Sequence, residues 1–172
     1  GHRQYRDPRI EGMQEEMESR MPMESVFACT GVQPAFYNSS LHLLAEGMKN
    51  NPCLDIADRL LFTPDLLAYW LSGVQSNERT VTSTSQLYDP IKRDWAWEVI
   101  DALGLPRKMF GNIVSSGTVL GPLTEAVAHK AGVSHTLQVV ASAGHDTASA
   151  VAGLPMERGG LWLSSGTWSI LG

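Results

Sequence analysis

Asp146 is the acid of this chain best placed to move a proton, and the run Ser164, Ser165, Gly166 and Thr167 is the stretch best suited to hold an anion. Asp146 follows an apolar run, residues 139–143, that stops at Gly144, and it precedes the small residues Thr147, Ala148, Ser149 and Ala150. That order predicts a short buried strand, a steep turn and a helix with the acid at its N-terminus. With a reference pKa of about 3.9, an aspartate is ionised at neutral pH and can take a proton from a hydroxyl. Ligands of open α/β sheets collect beyond the carboxyl ends of the strands, so a side chain on this turn is expected to point into a cleft. The same position also suits a plain helix cap, and on these residues alone both roles stay open.

Leu161, Trp162 and Leu163 lead into the polar tract, and Trp168, Ser169, Ile170 and Leu171 lead out of it. This pattern predicts a β-hairpin with a glycine-containing turn. Successive backbone N–H groups and hydroxyls on such a turn can cradle an anion. Ser, Gly and Thr are also ordinary turn formers, so the hairpin by itself is weak evidence.

The elements that must position these groups read as alternating helices and short strands. Asn38 or Ser39 can cap a helix that carries Leu41, Leu44 and Met48 on one face. Thr63 and Pro64 suit the N-cap and N1 positions of another, with Asp65 in its first turn and Gly73 at its end. Asp94 can cap a third, burying Trp95, Val99 and Leu103 before Gly104, and residues 125–131 form one more before Gly132. Trp95 and Trp97 face different ways at that spacing, which favours packing over sugar stacking. A domain boundary is expected at residues 154–160, around Pro155, Gly159 and Gly160.

Composition narrows the classes. A net charge of -5 and balanced charges around Arg3, Arg6 and Arg9 argue against a nucleic-acid partner. Cys29 and Cys53 form no Cys-x-x-Cys pair, so they read as two reduced thiols and not as a metal site or a disulfide framework. No apolar stretch approaches the roughly 20 residues of a membrane span, and the charged start lacks the apolar core of a signal peptide; a cytoplasmic location without membrane contact is expected.

Several stretches, in order, resemble the carbohydrate kinases of the FGGY group and, within it, the rhamnulokinase branch. They are Tyr5, Arg6 and Asp7; residues 30–33 with Asn38; Pro64, Asp65, Tyr69, Trp70, Leu71 and Gly73; residues 80–87; residues 117–121; residues 145–151; and residues 163–168. The His-Asp-Thr-Ala-Ser-Ala-Val and Leu-Ser-Ser-Gly-Thr-Trp pair is the most specific part. His145 before the acid favours the rhamnulose branch over members with glycine there, although Gly144 stands where rhamnulokinases usually carry serine and one residue is missing ahead of the hairpin.

The resemblance implies an α/β fold of the ribonuclease H-like (actin-like ATPase) type. Residues 1–154 would be the later part of a sugar-binding N-terminal domain, and 155–172 the opening hairpin of a C-terminal nucleotide-binding domain. It implies ATP-dependent phosphorylation of a ketose, in this branch the 1-hydroxyl of L-rhamnulose. Asp146 would be the general base, His145 and Thr147 its neighbours in the sugar pocket, and Gly166 and Thr167 contacts of the nucleotide phosphates. The cofactors would be ATP and Mg2+, with Mg2+ ligands largely outside this chain. The family's Asp-x-Gly phosphate loop and its Trp-Gly-x-Asp sugar segment have no match here, so both are expected upstream, and the chain alone is expected to be inactive. The alternatives are a fuculose, xylulose or ribulose kinase, a non-catalytic actin-like protein, or a metal-dependent phosphohydrolase. The last would need a further set of histidines, which His2, His42, His129 and His135 do not form. Against the non-catalytic protein stands the cost of keeping an unpartnered carboxylate in a cleft.

Overall fold

The structure, a computed structural model, describes residues 7–157, 159–166 and 169–172. Five helices come first: α1 (Met13–Arg20), α2 (Met23–Thr30), α3 (Ser39–Met48), α4 (Pro52–Ile56) and α5 (Thr63–Ser72). Then follow β1 (Asn77–Glu78), α6 (Arg79–Thr82), β2 (Tyr88–Asp89), β3 (Asp94–Trp95), α7 (Trp97–Ala102), β4 (Ile113–Val114), β5 (Val119–Pro122) and α8 (Glu125–Ala131). The chain closes with β6 (Gln138–Val140), α9 (Asp146–Ala152), β7 (Leu163–Ser165) and β8 (Ser169–Leu171).

Strands pair two by two among the described residues. β1 and β4 are parallel, with Glu78 opposite Val114, while β2–β3, β5–β6 and β7–β8 are antiparallel. The expected strand before Gly144 is β6, but only half of it is buried. Val139 and Ala141 turn inward and Val140 is 47% exposed, the alternation of an antiparallel pair with one wet face.

One core holds the helical part together. Met17 of α1, Val26 of α2, Leu41 and Leu44 of α3, and Val99 and Ile100 of α7 pack with Leu87 and Trp95. Trp95 meets Phe110 edge to face at 4.9 Å and donates its indole N–H to the Gly111 carbonyl at 2.7 Å. Trp97 also meets Phe110, at 6.1 Å, so both tryptophans serve packing.

Helix ends follow local chemistry closely in places. α8 spans the predicted residues because the Thr124 hydroxyl accepts from the Val127 N–H at 3.4 Å and Gly132 takes the left-handed conformation that ends it. α5 is closed by Gly73 at φ 75, but Phe62 holds its N-cap, so Thr63 and Pro64 lie one position further into the helix than expected. Three further expectations are corrected. Asp94 lies in β3, and its carboxylate accepts from the N–H of Trp95 and the indole of Trp97; α7 starts later, after Ala96. Met48 is 46% exposed, and its sulfur accepts from Arg20 instead of joining Leu41 and Leu44 in the core. Asn38 occupies the N-cap of α3, yet its side chain accepts from the Ala35 N–H and so fixes the loop before the helix.

Candidate active site

Asp146 is the first residue of α9, with His145 at the N-cap in an extended conformation (φ -90, ψ 130). The acid is therefore one residue inside the helix and does not act as its N-cap. Its Oδ1 accepts from the N–H of the adjacent Thr147 at 2.7 Å, and His145 Nε2 stands 3.4 Å from the same oxygen. The Asp146 side chain is 93% exposed and that of His145 38%. The acid thus carries no burial cost, and the expectation of a carboxylate sheltered in a cleft is not met within the described residues. A cavity of about 540 Å³ between α3, α4 and the loop before α5 is lined by residues from Tyr37 to Met109, including His42, Arg59 and Phe62, and includes none of residues 144–147.

What holds the turn before Asp146 is a carboxylate from elsewhere. Glu78, at the end of β1, is only 3% exposed. Its Oε2 accepts from the N–H of Thr80 at 2.9 Å, of Val81 at 3.3 Å and of Gly144 at 3.2 Å, and from the Thr80 hydroxyl. Its Oε1 accepts from the Ser116 hydroxyl at 2.6 Å. The Thr80 hydroxyl in turn accepts from the His145 N–H at 3.3 Å. Burial alone would raise the Glu78 carboxyl, but the hydroxyls of Ser116 and Thr80 and the N–H groups of Thr80 and Gly144 outweigh it and hold its pKa below the ordinary glutamate value.

Gly144 adds a steric constraint. A Cβ at this position would lie 2.7 Å from Val81 Cγ2 and 3.1 Å from Pro64 Cβ, so only glycine fits without displacing the start of α5 or α6. Asp65, 4% exposed, supports the same corner from beneath. It accepts from the Glu78 N–H at 2.8 Å and from the Asn77 side chain at 3.2 Å. Burial raises its pKa despite these donors, and the neighbouring Glu78 charge adds to the rise.

The hairpin forms as the residues predict, with Leu163 opposite Leu171 and Ser165 opposite Ser169. Ser164 and Ser165 belong to β7 and not to the turn. Gly166 is exposed, with open space where a Cβ would project, and Thr167 lies outside the described residues. The chain thus brings together Glu78, Thr80, Ser116, Gly144 and His145, next to Asp146 and Thr147. Glu78 lies just ahead of the matched stretch 80–87 and was not singled out from the sequence. Its signal was a lone acid in a tract of hydroxyl residues, followed at once by N–H groups for it to cap.

Cys29 is half-buried and Cys53 exposed, both as free thiols. Among the described residues no group of three or more His, Cys, Asp or Glu side chains could hold a metal ion. No helix among them is long and apolar enough to cross a membrane.

Residues 4–153 match the family described as "FGGY family of carbohydrate kinases, N-terminal domain". A rhamnulokinase of Bacteroides thetaiotaomicron is 40% identical over 169 residues, 98% of this chain and 35% of that protein. A rhamnulokinase of Oceanobacillus iheyensis is 35% identical over 168 residues, again 98% of this chain and 35% of its own length. The chain therefore spans about a third of the curated relatives it matches. Among solved structures, a xylulose kinase from Rhodospirillum rubrum superposes with a TM-score of 0.81 at 19% identity, over 93% of this chain and 33% of that one. A carbohydrate kinase from Novosphingobium aromaticivorans gives 0.73 at 27% identity, over 94% and 35%. The fold is the actin-like ATPase fold of these sugar kinases.

Proposed function

Because the chain belongs to the FGGY family of carbohydrate kinases, we propose that the whole protein transfers the γ-phosphoryl group of ATP to a ketose, with L-rhamnulose as the substrate and L-rhamnulose 1-phosphate as the product. The observation that carries this reading is the 40% identity to a rhamnulokinase over 98% of the chain. The xylulose kinase likeness, at 19% identity, speaks for the fold and not for the sugar.

In this reading residues 1–154 belong to the sugar-binding domain and 155–172 begin the nucleotide-binding domain. Asp146 is the general base. It takes the proton of the 1-hydroxyl as that oxygen bonds to the γ-phosphorus and the bond to ADP breaks. Phosphoryl transfer asks a protein chiefly for positioning and charge stabilisation, with one acid orienting the nucleophile. An exposed carboxylate on a helix first turn is chemically suited to that task, and the remainder of the whole protein would close the cleft over it. His145 and Thr147 flank the sugar, and Gly166 and Thr167 contact the phosphates. Mg2+, bound by groups beyond those described here, would neutralise charge on the phosphates.

The test is a coupled ADP-release assay of the whole protein against L-rhamnulose, L-fuculose, D-xylulose and D-ribulose. Preference for L-rhamnulose is expected. Preference for another ketose overturns the substrate, and sugar-independent or absent ADP release overturns the kinase reading.

A further inference from the structure

Among the described residues the Asp146 side chain makes only local contacts, with Thr147 and His145. Where its carboxylate stands is therefore set by the backbone of the two residues before it. Both of those backbone N–H groups are held from the same place. Gly144 donates to the Glu78 carboxylate, 66 positions earlier in the chain, and His145 donates to the Thr80 hydroxyl, which is itself bonded to that carboxylate. Capping of the short α6 accounts for the Thr80 and Val81 N–H groups, but not for the bonds that reach Ser116 and Gly144. A carboxylate this deeply buried is tolerated only when fully hydrogen-bonded, and bonds to a charged acceptor are the strong ones. Gly144 also packs on Val81 and Pro64, so the turn is pinned by contact as well as by charge.

We propose that Glu78 is a positioning residue for phosphoryl transfer: by tethering Gly144 directly and His145 through Thr80, it fixes the turn that presents Asp146 to the sugar hydroxyl. This rests on the reading of Asp146 as the general base. Glu78 does not touch substrate. It acts through the backbone of residues 144 and 145.

The experiment is a double-mutant cycle in the whole protein. Glu78→Gln should lower kcat by about 10²-fold, the scale of a misplacement of about 1 Å at a reacting group, with the KM for ATP unchanged within roughly twofold. In an Asp146→Asn background the same substitution should cost nothing further, because there is no base left to position. Equal losses in both backgrounds would mean general structural damage, and an unchanged kcat in the otherwise native protein would mean no role; either overturns the proposal. Should Glu78→Gln fail to fold, Thr80→Val carries the test. It should lower kcat about tenfold and Thr80→Ser should restore it, whereas loss in both, or in neither, overturns the relay. Amide exchange over residues 142–147, read by mass spectrometry, should quicken in Glu78→Gln and in Thr80→Val. A wild-type protein inert toward every ketose defeats the kinase reading instead, while unchanged exchange defeats the tether alone.

Discussion

The carboxylate of Asp65 accepts the backbone N–H of Glu78 at 2.8 Å, so one buried acid fixes the main chain of another. Asp65→Ala leaves that N–H and the Asn77 side chain without this acceptor in a corner where Glu78 is 3% and Asn77 0% exposed. A buried donor left unpaired costs about 1–3 kcal/mol. Urea unfolding should register a loss of that size. A loss within experimental error would mean that the two donors find other partners.

The same pair gives opposite pH dependences. Glu78 is held below the ordinary glutamate value, so its unfolded form binds more protons and its stabilisation, complete above that ordinary value, is lost as pH falls through the lowered one. Asp65 is raised, so its folded form binds more protons, and its contribution improves as pH falls through the raised value. Between about pH 7 and about pH 3, wild type and Glu78→Gln should therefore converge in urea midpoint, while wild type should gain on Asp65→Asn. The reverse trends would mean that the two carboxyl groups are shifted the other way.

Asp146→Asn in the whole protein should lower kcat by about 10²–10⁴-fold, the usual worth of general-base assistance. Because the side chain is 93% exposed, thermal stability should hardly change. Near-normal turnover in this variant would remove Asp146 from the chemistry.

Gly144→Ser places a Cβ where Val81 Cγ2 is 2.7 Å away, and it should shift the turn and lower stability by the roughly 1–3 kcal/mol typical of overpacking. Val81→Ala clears that contact and should recover most of the loss in the double variant. Additive losses would show that the strain lies against Pro64.

Trp95→Ala empties a site that is 1% exposed and orphans the Gly111 carbonyl. A loss of about 3–5 kcal/mol is expected by chemical denaturation. Met48→Ala, on a side chain 46% exposed, should fall within about 0.5 kcal/mol of wild type.

The sequence made visible whatever is decided locally. α8 was readable to the residue because Thr124 and Gly132 mark its two ends, and the β7–β8 hairpin because apolar runs flank a polar turn. Asp146 was correctly placed in a helix first turn. Asp94 misled because an acid before a helix suits a strand end equally well, and here β2 claims it as a partner for Asp89. The Glu78 hub stayed hidden for a different reason. Its partners Ser116 and Gly144 lie 38 and 66 positions away, and no local pattern encodes such meetings.

That separation has a bearing on how the molecule reaches its working form. Tying residue 144 back to residue 78 closes a loop of 66 residues, and such long-range closures are entropically deferred relative to nearby helical contacts. The helices α1 to α3 can consolidate early, whereas the Asp146 turn acquires its bearing only when β1, the segment after β4 and the segment after β6 have all arrived. During synthesis the helical part would thus be packed before the Asp146 turn is set, and the Glu78 hub would be among the later of these contacts to form.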